Sequence, residues 1–161
     1  MKRTPKALIP LFCIILLCSC TPRRQLVQEP MTQTVTVEDF ELTLSTEGAN
    51  GLSDGALRYA VEIRYVGNEP SVQLSYCYSP VWISLSPTTE GWTFPRPSLL
   101  CFSEIKQGES LSSGKSLPDA QKLPVGEYTV RIPVDFTVTE TGASVHHVFE
   151  IPLTVAKPGK N

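Results

Sequence analysis

Two adjacent histidines are the residues whose type best suits acid–base chemistry or metal binding. His146 and His147 are the only imidazoles in the sequence, and protein zinc sites are built from such side chains together with further ligands. They fall in a segment where apolar residues occupy every second position, which predicts a strand with successive side chains on opposite faces. We therefore expect His147 to be partly buried, His146 to be exposed, and no metal to be held between them.

A polar stretch at residues 108–116 has some of the residues of a phosphate-binding loop. Five residues separate its two glycines, whereas the P-loop pattern has four between them, and Pro118 prevents the helix that must follow. Ser112 and Lys115 have the spacing of a catalytic Ser-x-x-Lys pair, but that pair also depends on a helix. We interpret the stretch as a polar loop, and we predict no cofactor and no enzyme activity.

The first residues of the chain have the pattern of an export signal. Lys2, Arg3 and Lys6 precede an apolar run over residues 7–17. The run has about eleven residues, whereas a helix that crosses a bilayer needs about twenty. A short apolar run after a basic start is typical of a signal peptide that is later removed. We predict such a signal peptide over residues 1–19.

The apolar run ends in the four residues Leu17-Cys18-Ser19-Cys20. They resemble the lipobox of bacterial envelope lipoproteins, in which an aliphatic residue lies three positions before a cysteine and a small residue lies immediately before it. The resemblance implies cleavage before Cys20, a diacylglyceryl thioether on its sulfur and usually a further acyl chain on its amino group. Two or three acyl chains hold a protein stably at a membrane. Thr21 follows instead of aspartate, which favours the outer membrane in a host that has one.

Two further cysteines, Cys77 and Cys101, lie in the part of the chain that is predicted to fold. In an oxidising cell envelope a remaining pair suggests a disulfide. A closed loop of about 25 residues would stabilise the fold by roughly 3 kcal/mol. The alternative is a pair of buried free thiols, because the sequence does not test the separation that a disulfide requires between the two Cβ atoms.

The segment at residues 86–100, SPTTEGWTFPRPSLL, has the features of a binding loop. Trp92, Phe94 and Arg96 stand among prolines that restrain the backbone, and Trp and Arg are enriched in the hot spots of protein interfaces. Such a loop could insert into a partner protein or into a protease cleft. The alternative is that Trp92 and Phe94 cover one end of the hydrophobic core.

The sequence contains short runs in which every second residue is apolar, and Gly, Pro, Asn and Ser bound these runs. Such runs predict strands. We expect these strands to position the candidate functional residues described above. The clearest runs are residues 128–138 and 145–155, which form a hairpin with a turn at 140–143. Near Glu38 and Asp39 the apolar positions change from odd to even, which predicts a bulge or a change of sheet. Strands are also predicted over residues 35–44, 59–65, 72–78, 81–85 and 99–105. About seven strands without helices predict an all-β, two-layer sandwich.

The residues Leu123-Pro-Val-Gly-Glu-Tyr128 resemble the turn before a late strand in immunoglobulin-like domains. In those domains a tyrosine hydroxyl returns to the backbone of the preceding turn, an arrangement known as the tyrosine corner. The resemblance implies an immunoglobulin-like β-sandwich, and it implies that Tyr128 has this role.

The stretch at residues 81–132 is also similar to the bacterial intracellular proteinase inhibitor family and to related immunoglobulin-like envelope domains. The matching elements are Val81-Trp82, Gly91-x-x-Phe94, Lys106-Gln-Gly-Glu-Ser110 and Pro124-Val-Gly-Glu-Tyr128-Thr-Val130. They are mainly turn and core residues, so the similarity implies the fold first. The function that this similarity implies is proteinase inhibition.

These predictions divide the chain into a signal peptide (1–19), a lipidated cysteine with a flexible tether (20–33), an immunoglobulin-like sandwich (34–156) and a tail (157–161). The chain has 16 acidic and 14 basic residues, and loss of the basic signal makes the remainder more acidic, which excludes a basic nucleic-acid-binding surface. We expect a lipid-anchored envelope protein that acts as a non-catalytic binding or structural module. Its expected partners are the membrane, through Cys20, and an unidentified envelope protein or protease. The alternative is a proteinase inhibitor presented at the cell envelope.

Overall fold

The computed structural model describes residues 24–48, 55–90, 92, 94, 98–117 and 119–157, and the structural statements that follow concern these residues. They form ten strands in two antiparallel sheets, which confirms the predicted all-β sandwich. The strands are β1 Gln25–Val27, β2 Met31–Val37, β3 Phe40–Thr46, β4 Leu57–Tyr65, β5 Ser71–Cys77, β6 Ser84–Ser86, β7 Leu100–Lys106, β8 Ser110–Leu117, β9 Gly126–Val138 and β10 Ser144–Ala156.

The larger sheet has the strand order β1-β10-β9-β5-β7, with β6 paired to β9, and the smaller sheet has the order β2-β3-β4-β8. Seven of these strands, β3-β4-β8 against β10-β9-β5-β7, form the three-on-four arrangement of an immunoglobulin-like sandwich. The other three strands, β1, β2 and β6, extend the two sheets. The predicted hairpin of β9 and β10 is confirmed, with Val145 opposite Phe136 and Val155 opposite Gly126.

The core lies between the two sheets, and large rings connect them. Phe40 of the smaller sheet meets Phe136 of the larger sheet edge to face, with ring centroids 4.9 Å apart. Phe40 also contacts Tyr65, at 5.2 Å between centroids. All three side chains are almost fully buried. Such ring pairs contribute beyond the apolar area that they bury.

The turn at Glu38 and Asp39 differs from the prediction of a bulge or a change of sheet. Val37 pairs with Phe40, so Glu38 and Asp39 are the two central residues of a tight hairpin between β2 and β3. Glu38 has a φ of 51°, a positive value that short hairpin turns require. In this register odd residues of β2 and even residues of β3 share one face. The change from odd to even apolar positions therefore marked a hairpin.

The stretch that was interpreted as a polar loop forms β8, and this interpretation was wrong. β8 pairs with β4 from Leu117 opposite Leu57 to Ser110 opposite Arg64. It is an edge strand of the smaller sheet, so its outer residues can be polar. Only one inward-facing residue of β8, Leu117, is fully buried, and the apolar alternation is too weak to reveal a strand in the sequence.

The predicted tether is also wrong for its described part, because the sandwich begins at β1 and not at residue 34. Leu26 of β1 lies opposite Val155 of β10 and is only 4% exposed. The guanidinium of Arg24 donates to the carbonyl oxygens of Lys122, at 3.0 Å, and Leu123. These carbonyls are at the end of a short 3₁₀ helix, Ala120–Lys122, where a cation is favourable.

The strands run between two ends of the sandwich. The N-terminal end contains Arg24, the 3₁₀ helix Ala120–Lys122, the start of β9 and Lys157. The far end contains the connections at residues 38–39, 66–70, 107–109 and 139–143. β9 and β10 extend along the length between the two ends.

The tyrosine corner is confirmed. The Tyr128 hydroxyl donates to the carbonyl oxygen of Pro124 at 2.9 Å, and the Tyr128 side chain is buried at the start of β9. The hydrogen bond connects this strand to the turn that precedes it.

Removing this hydroxyl should destabilise the sandwich slightly. We expect Tyr128→Phe to lower the free energy of unfolding by about 1 kcal/mol, because one hydrogen bond is lost while the ring is kept. Urea titration followed by tryptophan fluorescence measures this change. Tyr78→Phe is the matched control, since the Tyr78 side chain is 60% exposed. Equal stability of the Tyr128→Phe variant and the wild type would contradict the role of the corner.

Candidate functional site

The residues that the sequence predicted to be functional are not brought together in one site. Cys20, the whole signal peptide and Arg96 lie outside the described residues. Trp92 and Phe94 are half-buried and pack against the core, with ring centroids 6.5 Å apart. The backbone N–H of Trp92 donates to the carbonyl of Thr89 at 3.0 Å. This packing favours the alternative in which the two rings cover the core over insertion into a protease cleft.

The two cysteines of the sandwich are free thiols, and both are half-buried, whereas the alternative to a disulfide was a pair of buried thiols. They lie on the neighbouring strands β5 and β7, where Cys77 pairs with Leu100 and Cys101 pairs with Tyr76. Directly paired residues share a face and successive residues alternate. Cys77 and Cys101 therefore point to opposite faces of the sheet, and this register does not allow a disulfide between them.

The histidines have the predicted exposures: His146 is exposed and His147 is half-buried. The His147 ring meets Phe149 at 4.6 Å between centroids. Partial burial, together with the neighbouring His146, lowers the pKa of His147. In the described part of the chain, no group of three or more His, Cys, Asp or Glu residues could hold a metal ion.

A serine and a lysine do meet in the fold, but the pair differs from the one that the sequence spacing offered. The Lys115 ammonium donates to the Ser79 hydroxyl at 3.2 Å and to the carbonyl of Val81 at 2.7 Å. The Ser79 hydroxyl donates to the same carbonyl at 2.8 Å. Burial lowers the pKa of Lys115.

This geometry suits a structural connection. In serine–lysine catalysis the lysine accepts the serine proton, whereas here both groups direct a proton to Val81. Lys115 belongs to the smaller sheet, and the Val81 segment bridges to β9 of the larger sheet through Val134. The contact therefore joins the two sheets along one side of the sandwich.

An exposed apolar patch on β7 is the feature that the sequence analysis missed. Tyr78, Leu99, Leu100 and Phe102 are 60%, 64%, 57% and 53% exposed, and we refer to them as the β7 patch. Tyr78 and Leu99 are neighbours at the start of this edge, where the N–H of Tyr78 donates to the carbonyl of Leu99 at 2.6 Å, and Leu100 and Phe102 follow on the outer face of β7. Contiguous large apolar side chains on a surface are typical of interaction sites, whereas scattered ones are ordinary.

Among the residues that the structure describes, one side of the β7 backbone has no pairing strand. β7 is the last strand of the larger sheet and pairs on one side, with β5. The backbone hydrogen bonds at its two ends, between Tyr78 and Leu99 and between Pro70 and Gln107, show which residues of the strand face β5. Because bonded pairs alternate along an antiparallel ladder, the N–H and C=O groups of Leu100 and Phe102 point to the free edge.

At this edge, Leu100 and Phe102 therefore offer both their side chains and their backbone groups for contact with another chain. The outward side chains of Leu100 and Phe102 lie next to their own unpaired amides. Farther along the strand the outward residues are Glu104 and Lys106, both exposed, and Glu104 accepts a hydrogen bond from the Ser71 hydroxyl at 2.7 Å. Along β7, the apolar residues Leu100 and Phe102 are therefore followed by one acidic residue and one basic residue on the same face.

Two surface hollows on the described part of the sandwich are open to solvent. One, of about 530 Å³, lies beside Ala60 and Gly114 on the smaller sheet and includes Arg58 and Glu47, which form an ion pair at 3.8 Å. Another, of about 520 Å³, lies beside Pro87 at the end of β6. Their linings contain neither a histidine nor a cysteine.

Within the described residues, no helix has the length and the apolar character to cross a membrane. Comparison of the chain with protein-family models, with curated proteins and with solved structures found no match.

Proposed function

We propose that this protein is a lipid-anchored envelope protein that acts as a non-catalytic binding module, with the β7 patch as its partner-binding surface. The observation that carries the proposal is the coincidence, on one edge strand, of exposed apolar side chains with backbone groups that no described strand pairs. Either feature alone is common on protein surfaces, but together they match the requirements of a strand-addition site.

In strand addition, an extended peptide pairs with a free sheet edge. Backbone hydrogen bonds give affinity, and contacts with alternate side chains give specificity. The partner segment that fits β7 has large apolar residues beside Leu100 and Phe102. Opposite Glu104 and Lys106 it has a basic and an acidic residue, respectively, which select one register because like charges opposite each other are destabilising.

An exposed apolar edge strand promotes aggregation, which is a disadvantage for a protein that binds no partner there. Natural proteins protect edge strands with inward-pointing charges, prolines, lysines or bulges. β8, the edge of the smaller sheet, has the polar sequence SLSSGKSL. β7 has none of this protection at Leu100 and Phe102, which favours a surface that is covered in the working state.

The membrane anchor in this proposal is Cys20, on the basis of the lipobox resemblance of Leu17-Cys18-Ser19-Cys20. Lipidation restricts the protein to the cell envelope, so that its partner is an envelope protein. At a membrane two binding elements meet at a raised effective concentration. A short edge such as β7 can then bind usefully with modest intrinsic affinity.

The anchor is tested by Cys20→Ser. We expect the wild type, expressed with its own signal, to incorporate labelled fatty acid and to sediment with membranes. The variant is expected to remain unlabelled, because serine has no thiol to form the thioether. Cys77→Ser is the matched control and is expected to remain lipidated. A wild type that carries no fatty acid would refute the anchor.

The binding edge is tested by Phe102→Lys, which places a charge where the partner strand would lie. The sandwich is expected to keep its stability, because lysine is common on edge strands. A photoreactive amino acid at position 100 is expected to give a discrete crosslinked product in native membranes, and Phe102→Lys is expected to abolish it. Val66→Lys, which removes an exposed apolar residue at the far end, is expected to leave the product unchanged. Crosslinking that survives Phe102→Lys would exclude β7 as the binding edge.

A further inference from the structure

The chain leaves β5 through a strained turn at Tyr78. The N–H of Ser79 donates to the carbonyl oxygen of Cys77 at 2.6 Å, and the residue between them, Tyr78, has a φ of 56°. A hydrogen bond between residues i and i+2 around a central residue of positive φ is the less common form of the γ-turn, and this form is strained. A positive φ is unusual for a residue with a bulky side chain. The turn therefore has a conformational cost that glycine at position 78 would largely avoid.

The residues on both sides of Tyr78 are fixed, so the strain has no room to relax. Before the turn, Cys77 pairs with Leu100 of β7. After the turn, the carbonyl oxygen of Pro80 accepts a hydrogen bond from the N–H of Asp135 of β9 at 2.8 Å. A residue stays in a strained conformation only where the surrounding structure determines it. These contacts supply that constraint from the larger sheet.

The smaller sheet supplies a second constraint through Lys115 of β8. The Lys115 ammonium donates to the Ser79 hydroxyl at 3.2 Å and to the carbonyl oxygen of Val81 at 2.7 Å. The same hydroxyl accepts from the N–H of Val81 at 3.2 Å and donates to the Val81 carbonyl at 2.8 Å. These bonds use the whole hydrogen-bonding capacity of the hydroxyl. Because Ser79 directly follows Tyr78, relaxation of Tyr78 to a negative φ would break them.

The side chain that this strained turn presents is exposed, so the strain does not serve the packing of the core. Tyr78 is 60% exposed and its neighbour Leu99 is 64% exposed. Strained residues that are held by their surroundings cluster at functional sites. Tyrosine is also enriched among the residues that dominate the binding energy of protein interfaces. The backbone outlier and an exposed ring of this type therefore coincide at the start of the β7 patch.

We propose, on the basis of the binding function proposed above for the β7 patch, that Tyr78 anchors the partner segment and that Lys115 positions Tyr78. Lys115 acts through Ser79 and belongs to the opposite sheet, so it is a positioning residue. The partner segment packs an apolar side chain against the Tyr78 ring where it passes the start of β7. A side chain presented by a fixed backbone loses less conformational entropy on binding than one presented by a mobile loop.

The strain is measured first, without a partner. In a regular strand alanine is more stabilising than glycine, whereas at a position of positive φ the order is reversed. The urea midpoint of Tyr78→Gly is therefore expected to lie above that of Tyr78→Ala. Ser75→Gly and Ser75→Ala, in the regular part of β5, are the matched controls and are expected to show the opposite order. A midpoint of Tyr78→Gly at or below that of Tyr78→Ala would overturn the strain, and the proposal with it.

The positioning role is tested with the crosslinked product that a photoreactive amino acid at position 100 forms in native membranes. Tyr78→Gly is expected to lower its yield several-fold, although this variant is more stable than Tyr78→Ala. Lys115→Met, which keeps the aliphatic stem and removes the ammonium, is also expected to lower the yield several-fold. Combined with Tyr78→Ala, it is expected to cause no further fall, because the residue that it positions is already absent. Lys122→Met, at the N-terminal end, is the matched control and is expected to leave the yield unchanged.

The other outcomes separate this proposal from the binding function on which it rests. An equal fall with Lys115→Met in the presence and absence of the Tyr78 side chain would show a general structural effect and overturn the positioning role. A yield that survives Tyr78→Ala but is abolished by Phe102→Lys would overturn Tyr78 as the anchor and leave the binding edge standing. A wild type that gives no crosslinked product would refute the binding function of β7, and this proposal with it.

Discussion

Phe136→Ala is expected to lower the free energy of unfolding by about 3–5 kcal/mol, the range for loss of a large buried aromatic side chain. The Phe136 side chain is 2% exposed, and its ring meets Phe40 across the interface of the two sheets at 4.9 Å between centroids. Alanine leaves a cavity between the two sheets and removes this ring contact. Because the total stability of a domain is about 5–15 kcal/mol, the variant should be close to the limit of folding. Urea unfolding followed by circular dichroism measures the loss.

Thr137→Ala is the matched control for this prediction. Thr137 is the next residue of β9, it is half-buried, and it points to the opposite face of the sheet. Its replacement is expected to change the free energy of unfolding by less than about 1 kcal/mol, as is usual for surface positions. If Phe136→Ala were no more destabilising than Thr137→Ala, the ring contact between the sheets would not stabilise the fold.

Leu26→Ala is expected to lower the free energy of unfolding by about 2–3 kcal/mol, near the lower limit for buried leucine because β1 pairs along only one side. Leu26 is the buried residue of a strand of three residues, and few other contacts hold β1 in place. Its loss should release β1 from β10. Hydrogen exchange should therefore become faster at the β10 amides that face β1, within the paired residues Thr154–Ala156, with little change at the centre of β9.

Val27→Ala is the control for the release of β1. Val27 is the neighbouring residue, it is 36% exposed, and it pairs with Thr154. It keeps the same backbone hydrogen bonds and is expected to leave exchange in β10 unchanged. Exchange that is equally fast in both variants would show that Leu26 does not hold the strand.

The long hairpin and the tyrosine corner could be predicted because local pattern and tertiary structure agree there. In β9 and β10 every second residue is apolar over a long stretch, and both strands lie in the interior of the larger sheet. Tyr128 follows a Pro-Val-Gly turn, and its hydrogen bond to Pro124 spans only four residues. In both cases the interactions are local in the sequence.

The strands that were missed are those whose stability comes from their partners. β1 has a single buried side chain, Leu26, and its sequence does not differ from that of a linker. β8 has an inward-facing lysine, Lys115, whose ammonium reaches Val81 at the open side of the sandwich. An argument from apolar periodicity counts an inward-facing lysine as evidence against a strand. It takes no account of the Val81 carbonyl, to which the Lys115 ammonium donates a hydrogen bond.

The β7 patch could not be predicted because the core-facing side of β7 is set by its register with β5. Leu100 and Phe102 are larger and more apolar than Cys101 and Ser103, so the local pattern would turn them inward. The pairing of Ile105 with buried Val72 instead places the odd residues towards the core. The even-numbered apolar residues Leu100 and Phe102 therefore point outward. An edge of this kind becomes apparent only when the pairing partner is known.

The side-by-side pairing of Gln25 with Ala156 has a consequence for protein engineering. A fluorescent protein or purification tag fused directly after Lys157 would lie next to the start of β1 and could disturb its pairing with β10. The connection at Thr141 and Gly142, where Gly142 has a φ of 70° and open space around its Cα, is the preferable insertion point for a reporter. For the same reason the sandwich is suited to circular permutation, because a short linker could join Arg24 to Lys157 and new ends could be opened at that connection.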